Sequence, residues 1–99
     1  MTARIRRSSG NVFKDLGFPP EEAAHLLIRA DLTIQLTQIL KERKLTQVRA
    51  ARLLGVSQPR VSDLVRGRID LFSIDSLVEM LARLGVSVSL QTRRSKRVA

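Results

Sequence analysis

The chain has no cysteine, no tryptophan and no tyrosine, and a single histidine, His25, among its 99 residues. Without cysteine there is neither a disulfide framework nor a thiolate metal site, and a reducing compartment such as the cytosol is unproblematic. A lone histidine with no Cys or acidic partners at metal spacing is not a ligand set, so no metal and no cofactor are expected. Long apolar runs are missing as well. No stretch approaches the roughly 20 residues a membrane-spanning helix needs, and no signal-peptide h-region follows Met1, so a cytoplasmic protein is expected. There is no Gly-rich phosphate loop and no nucleophile–base pair, which argues against an enzyme. Glu21 and Glu22 are adjacent, but neighbours at i,i+1 on a helix do not converge on one point and cannot share catalysis. The only aromatics are Phe13, Phe18 and Phe72, too few for the stacking platforms of an RNA binder.

Acid is scarce relative to base: 9 Asp and Glu face 18 Lys and Arg, a net charge of +9. The length suits one small domain, which buries only about 60–65% of the surface its unfolded chain exposes. A small domain this basic points first to a polyanion, most often nucleic acid. The position of the charge sharpens that inference. Residues 1–17 carry a net of +3, residues 93–99 a net of +4, and residues 41–68 a net of +6. The flanks 18–40 and 69–92 together hold −4. The body is therefore polarised, with one basic segment and an acidic remainder free to meet a protein.

Three regions are expected: a basic arm over 1–19, a helical domain over 20–92 and a basic tail over 93–99. The arm mixes Ser-Ser-Gly with scattered arginines and reads as mobile, with a short strand at Val12-Phe13. Pro19-Pro20 opens a helix whose first turn holds Glu21 and Glu22, favourable to the helix dipole. Apolar residues then fall at helical spacing to about Arg43, as Ala23, Leu27, Ala30 and Ile34 and as Leu32, Leu36, Ile39 and Leu40. Propensity leaves open one long helix or two joined near Asp31. Thr46 is a natural N-cap, with Leu45 and Ala50 placed as a hydrophobic staple, for a short helix over Gln47–Leu54 that ends at Gly55. Ser57 caps a second short helix, Gln58–Arg66, closed by Gly67. Ser73 caps a last helix with Leu77, Leu81 and Leu84 as its buried stripe, stopping at Gly85. From Val86 to Gln91 the residues alternate, the period of a half-buried strand. The fold class is mainly α with a short C-terminal β-strand.

Two short helices joined by a three-residue turn with glycine match a helix-turn-helix. Counting Gln47 as position 1 puts Ala51 at 5, Gly55 at 9, Val61 at 15 and Leu64 at 18. A small residue at the fifth place lets the second helix approach the first. Glycine at the ninth takes a turn conformation that a Cβ would strain. Val61 and Leu64, together with Val65, plug the second helix onto the core. The run from Leu45 to Leu64 resembles the helix-turn-helix of the XRE family, the lambda-repressor and Cro class. Asn11-Val12-Phe13, Asp15-Leu16-Gly17-Phe18 and the tail Arg83–Val88 further resemble short members of the HigA-type antitoxin group.

The second helix is then expected to enter the DNA major groove. With Val61, Leu64 and Val65 inward, the outward stripe is Pro59, Ser62, Asp63 and Arg66, with Gln58 at the exposed N-terminus. Gln58 can bond adenine bidentately, Ser62 can bond most base edges, and Arg60 flanks the stripe within reach of guanine or phosphate. Asp63 either accepts from cytosine N4 or pairs with Arg60 or Arg66, and pairing is the reading preferred. Thr46, Gln47, Arg49, Ser57, Arg66 and Arg68 are the expected phosphate contacts. The resemblance places Gln47 and Gln58 where XRE repressors set glutamines against phosphate and base. The lone C-terminal strand needs a partner, either Val12-Phe13 or its own copy across a two-fold axis. A homodimer on a palindromic operator is expected, joined through Val86, Val88, Leu90 and the first long helix. The resemblance implies a bacterial repressor, on the nucleoid when bound, that as an antitoxin also neutralises a toxin and autoregulates the pair. The alternative is a stand-alone regulator with no toxin partner. An antitoxin's toxin-binding element is expected in the arm 1–19 with the helix over 20–34.

Overall fold

The computed structural model describes the backbone of Thr2–Ala3 and residues 11–94 in full. Arg4, Arg6 and Arg7 of the expected arm and Lys96 and Arg97 of the expected tail lie outside the described residues. Five α-helices are described: α1 (Val12–Asp15), α2 (Pro20–Glu42), α3 (Gln47–Leu54), α4 (Gln58–Val65) and α5 (Ile74–Arg83). A 3-10 turn over Ile69–Leu71 joins α4 to α5. Two short strands, β1 (Thr2–Ala3) and β2 (Ser87–Val88), complete the order.

α2 is one uninterrupted helix of 23 residues, which the sequence left undecided. No glycine or proline lies inside it after Pro20, so nothing breaks the hydrogen-bond ladder at Asp31. Its two apolar stripes serve different neighbours. Ala23 and Leu32 are nine residues apart, about 180° around the helix, so they face opposite ways. Ala23 is buried where α1 packs. Leu32, Leu36 and Leu40 enter the main core with α5 and α4. Ile34, which continues the first stripe, has run beyond that cover and is 58% exposed.

The main core gathers Leu32, Leu36 and Leu40 of α2, Ala50, Ala51 and Leu54 of α3, Val61 and Leu64 of α4, and Leu77, Met80, Leu81 and Leu84 around α5, closed by Phe72 and Val86. At an order of 1.5–3 kcal/mol per large side chain removed from water, this set supplies most of the driving force for folding. Arg43, just past the end of α2, donates from Nη2 to the Leu84 carbonyl at 2.8 Å. It thereby ties the C-terminal ends of α2 and α5 together.

Two expectations for the chain ends are corrected. Val12-Phe13 is not a strand but the start of α1. The Asn11 Oδ1 accepts from the Phe13 N–H at 2.9 Å and the Lys14 N–H at 3.4 Å, which caps a helical turn. The Asn11 Nδ2 donates to the Ala23 carbonyl at 2.9 Å, and Phe13 meets Phe18 edge-on with ring centroids 6.1 Å apart. Residues 11–18 thus form an ordered clasp on the first turns of α2. The C-terminal strand is also shorter than the alternation suggests. Only Ser87–Val88 pair, parallel to Thr2–Ala3, with Thr2 opposite Ser87 and Ala3 opposite Val88.

Candidate nucleic-acid interface

The turn between α3 and α4 is built from capping chemistry at both ends. Thr46 Oγ1 accepts from the Arg49 N–H at 3.2 Å, satisfying one of the N–H groups that a helix start leaves open. α3 stops at Gly55, whose φ of 70° lies in the left-handed region. Both the Gly55 N–H and the Val56 N–H turn back to the Ala51 carbonyl, a closure that glycine adopts without a Cβ penalty. Ser57 Oγ then accepts from the Arg60 N–H at 3.3 Å and starts α4. Three residues therefore reverse the chain, and the burial of Ala51 against Val61 and Leu64 sets the approach of the two helices.

Most of the expected contact residues lie at the surface. Gln58 and Pro59 are exposed on the first turn of α4, and Ser62 and Asp63 are half-buried further along it. Thr46, Gln47, Arg49, Ser57, Arg66 and Arg68 are all exposed. In both cap hydroxyls the oxygen accepts from the helix, which leaves the O–H proton free for an external acceptor such as phosphate. The N-termini of α3 and α4 differ in what they offer. Pro59 has no N–H and the Arg60 N–H is already capped, so of the first three residues of α4 only Gln58 keeps a free donor. At α3 both Gln47 and Val48 keep theirs.

Charge is kept outward. Of the eight basic residues in 41–68, all but the half-buried Arg60 are exposed. Among the described residues only Arg68 forms an ion pair, a loose one with Asp70 at 3.8 Å between exposed side chains. Such a pair contributes roughly 0–1 kcal/mol and readily yields to a phosphate.

Four sequence expectations are corrected. Asp63 forms no ion pair with Arg60 or Arg66 among the described residues, because Arg60 is committed elsewhere and Arg66 stays in solvent. Arg60 itself is not a free flanking cation. Its Nη1 donates to the Leu71 carbonyl at 2.9 Å and its guanidinium lies 4.2 Å over the Phe72 ring. Val65 is 54% exposed rather than in the core, since α4 ends there and the chain leaves the core at Gly67. Val86, expected at a dimer interface, is only 5% exposed and packs into its own chain's core. Val88 is half-buried against that core, and Leu90 alone of the three stands free, 85% exposed. Sequence reasoning passed over Arg43 and the Asn11 clasp. The Asn11 cap carried a local signal, an Asn ahead of a short polar–apolar run.

Among the described residues no group of three His, Cys, Asp or Glu could hold a metal ion, and no helix is long and apolar enough to cross a membrane. Residues 12–93 match the model of the helix-turn-helix domain family. A solved structure described provisionally as an XRE family transcriptional regulator superposes with a TM-score of 0.71 at 29% identity, covering 79% of this chain and 90% of that one. No curated protein matches the chain. The family match begins at Val12, so it takes in the α1 clasp as well as the helix-turn-helix. With α3, the Gly55 turn and α4 in the expected places, the chain belongs to the helix-turn-helix domain family, as a member of the XRE type.

Proposed function

We propose that this XRE-type DNA-binding regulator is a sequence-specific repressor that binds a palindromic operator as a homodimer. The observation that carries the reading is the coincidence of the capped helix-turn-helix with seven exposed basic residues, six of them without an ion pair among the described residues. In this reading the free N–H groups of Gln47 and Val48, with Thr46, Ser57, Arg49, Arg66 and Arg68, hold the phosphates and fix register. Gln58, Pro59, Ser62 and Asp63 then face the base edges, where Gln58 pairs with adenine and Asp63 accepts from cytosine. The exposed Leu90 and the half-buried Val88, rather than Val86, are the apolar residues at the C-terminal end available to a second copy.

The same chain acts as the antitoxin of a toxin–antitoxin pair, autoregulating its operon. Supporting this is the surface at the far end of α2 from the helix-turn-helix. There Val12, Leu16 and Phe18 are exposed beside Asp15, Glu21 and Glu22, an apolar and acidic face suited to a basic protein. Co-expression with the product of the adjacent open reading frame tests it. A small growth-inhibiting protein rescued by this chain supports the antitoxin role, and a neighbour with no such effect leaves the stand-alone regulator. For DNA, Gln58→Ala with Ser62→Ala is expected to weaken specific binding by about 1–3 kcal/mol per lost base contact and to spare non-specific binding. Unchanged sequence preference in a gel-shift competition overturns the assignment of α4.

A further inference from the structure

α4 is a helix of eight residues that buries only Val61 and Leu64. Two pegs three residues apart, on one face, fix its distance from the core but leave it able to pivot about the line between them. Arg60, beside Val61, supplies a third point of attachment. Its N–H is held by Ser57 Oγ, its Nη1 by the Leu71 carbonyl, and its guanidinium by the face of Phe72, which is itself 2% exposed in the core. The bond to Leu71 spans 11 residues, from the first turn of α4 to the end of the 3-10 turn. A guanidinium is suited to this, because its planar face stacks on an aromatic ring while its edge donates along a fixed direction.

We propose that Arg60 is a positioning residue: it locks the angle at which α4 presents Gln58, Pro59 and Ser62 to the major groove and does not itself read a base. The proposal rests on the DNA-binding reading above. It accounts for a cation at the centre of the basic segment being turned onto a carbonyl and a ring of its own chain. It also requires Phe72, which is buried and cannot touch DNA, to affect sequence-specific affinity through Arg60.

The test uses the full chain and the duplex it enriches from a random-sequence selection, with poly(dI-dC) as the non-specific probe. Arg60→Ala and Phe72→Leu are each expected to weaken specific binding about tenfold, the scale of one directed charged bond plus stacking. The double variant should be no weaker than the worse single one, since both remove the same link. Non-specific affinity and the salt slope should stay as in the parent. Arg60→Lys, which keeps the charge and loses the plane, should not restore specific binding, and it decides the matter if Phe72→Leu does not fold. A salt slope shallower by about 0.9 in Arg60→Ala, with Phe72→Leu binding like the parent, makes Arg60 a phosphate contact and overturns the proposal. Relaxed preference at a single base pair, with Phe72→Leu silent, makes Arg60 a base contact and overturns it too. Full activity of Arg60→Lys or of Arg60→Ala overturns it as well. If the parent enriches no duplex, the DNA-binding reading falls and takes the role of Arg60 with it.

Discussion

Gly55 and Gly67 offer a controlled measurement of what the turn of a helix-turn-helix costs to a residue with a side chain. Both sit in the left-handed region, at φ of 70° and 75°. A Cβ at Gly67 meets nothing within 4 Å, whereas one at Gly55 comes within 2.8 Å of the Arg83 guanidinium. The left-handed conformation costs an ordinary residue roughly 1–2 kcal/mol. Replacing glycine recovers about 0.4–1 kcal/mol by restricting the unfolded chain. Gly67→Ala should therefore cost about 1 kcal/mol net, which for a domain of this size lowers the Tm by about 4–8 °C. Gly55→Ala carries the same strain plus the displacement of Arg83. That side chain is exposed and flexible, so the extra cost is within about 0.5 kcal/mol. Thermal unfolding of Gly67→Ala, Gly55→Ala, Arg83→Ala and the Gly55→Ala/Arg83→Ala double variant separates the two contributions. The double variant should recover no more than the small steric part. If Gly67→Ala is neutral, or if removing Arg83 restores Gly55→Ala to the Arg83→Ala baseline, backbone strain is not what selects glycine at this turn.

Other predictions follow from the same contacts. Thr46→Ala and Ser57→Ala each remove the cap of one helix of the pair and should cost about 1 kcal/mol by denaturant unfolding, against a few tenths for the glycine variants. Asn11→Ala loses both the cap of α1 and the bond to Ala23. It should raise amide exchange over 12–18 while leaving α3 to α5 protected, which a uniform rise across the domain contradicts. Leu36→Ala, deep in the core, should cost about 2–5 kcal/mol and leave little of the stability of a domain this small. Leu90→Ala should leave unfolding unchanged within about 0.5 kcal/mol, while sedimentation shows a weaker dimer if the C-terminal end joins two copies.

The parts legible in the sequence were those encoded locally. Thr46, Gly55, Ser57, Gly67 and Ser73 announce their caps and turns within three or four residues, and the structure places α3, α4 and α5 at those signals. The continuity of α2 was not legible, because two stripes on opposite faces imitate two helices until the partners of each face are known. β1 could not be read either, since two residues have no period. Val86 alternates correctly with Val88, but alternation does not say whether the covered face meets its own core or a second copy. The orientation of Arg60 depends on Phe72, 12 residues further along the chain. A basic residue near the start of a recognition helix has the same local sequence whether it points to DNA or to its own core. The charge pattern was legible as a sum over segments, whereas the exposure of its individual residues required the fold.

The central claim is that residues 41–68 form a DNA-reading surface. The most direct test is the affinity for the enriched duplex, with poly(dI-dC) as competitor, measured from 50 to 200 mM salt. Contact with about six to ten phosphates predicts a log–log slope of roughly −5 to −9, a loss of about 10³–10⁵ in affinity over that range, and discrimination against the competitor throughout. A chain that enriches no sequence, or whose binding is flat with salt, contradicts the account.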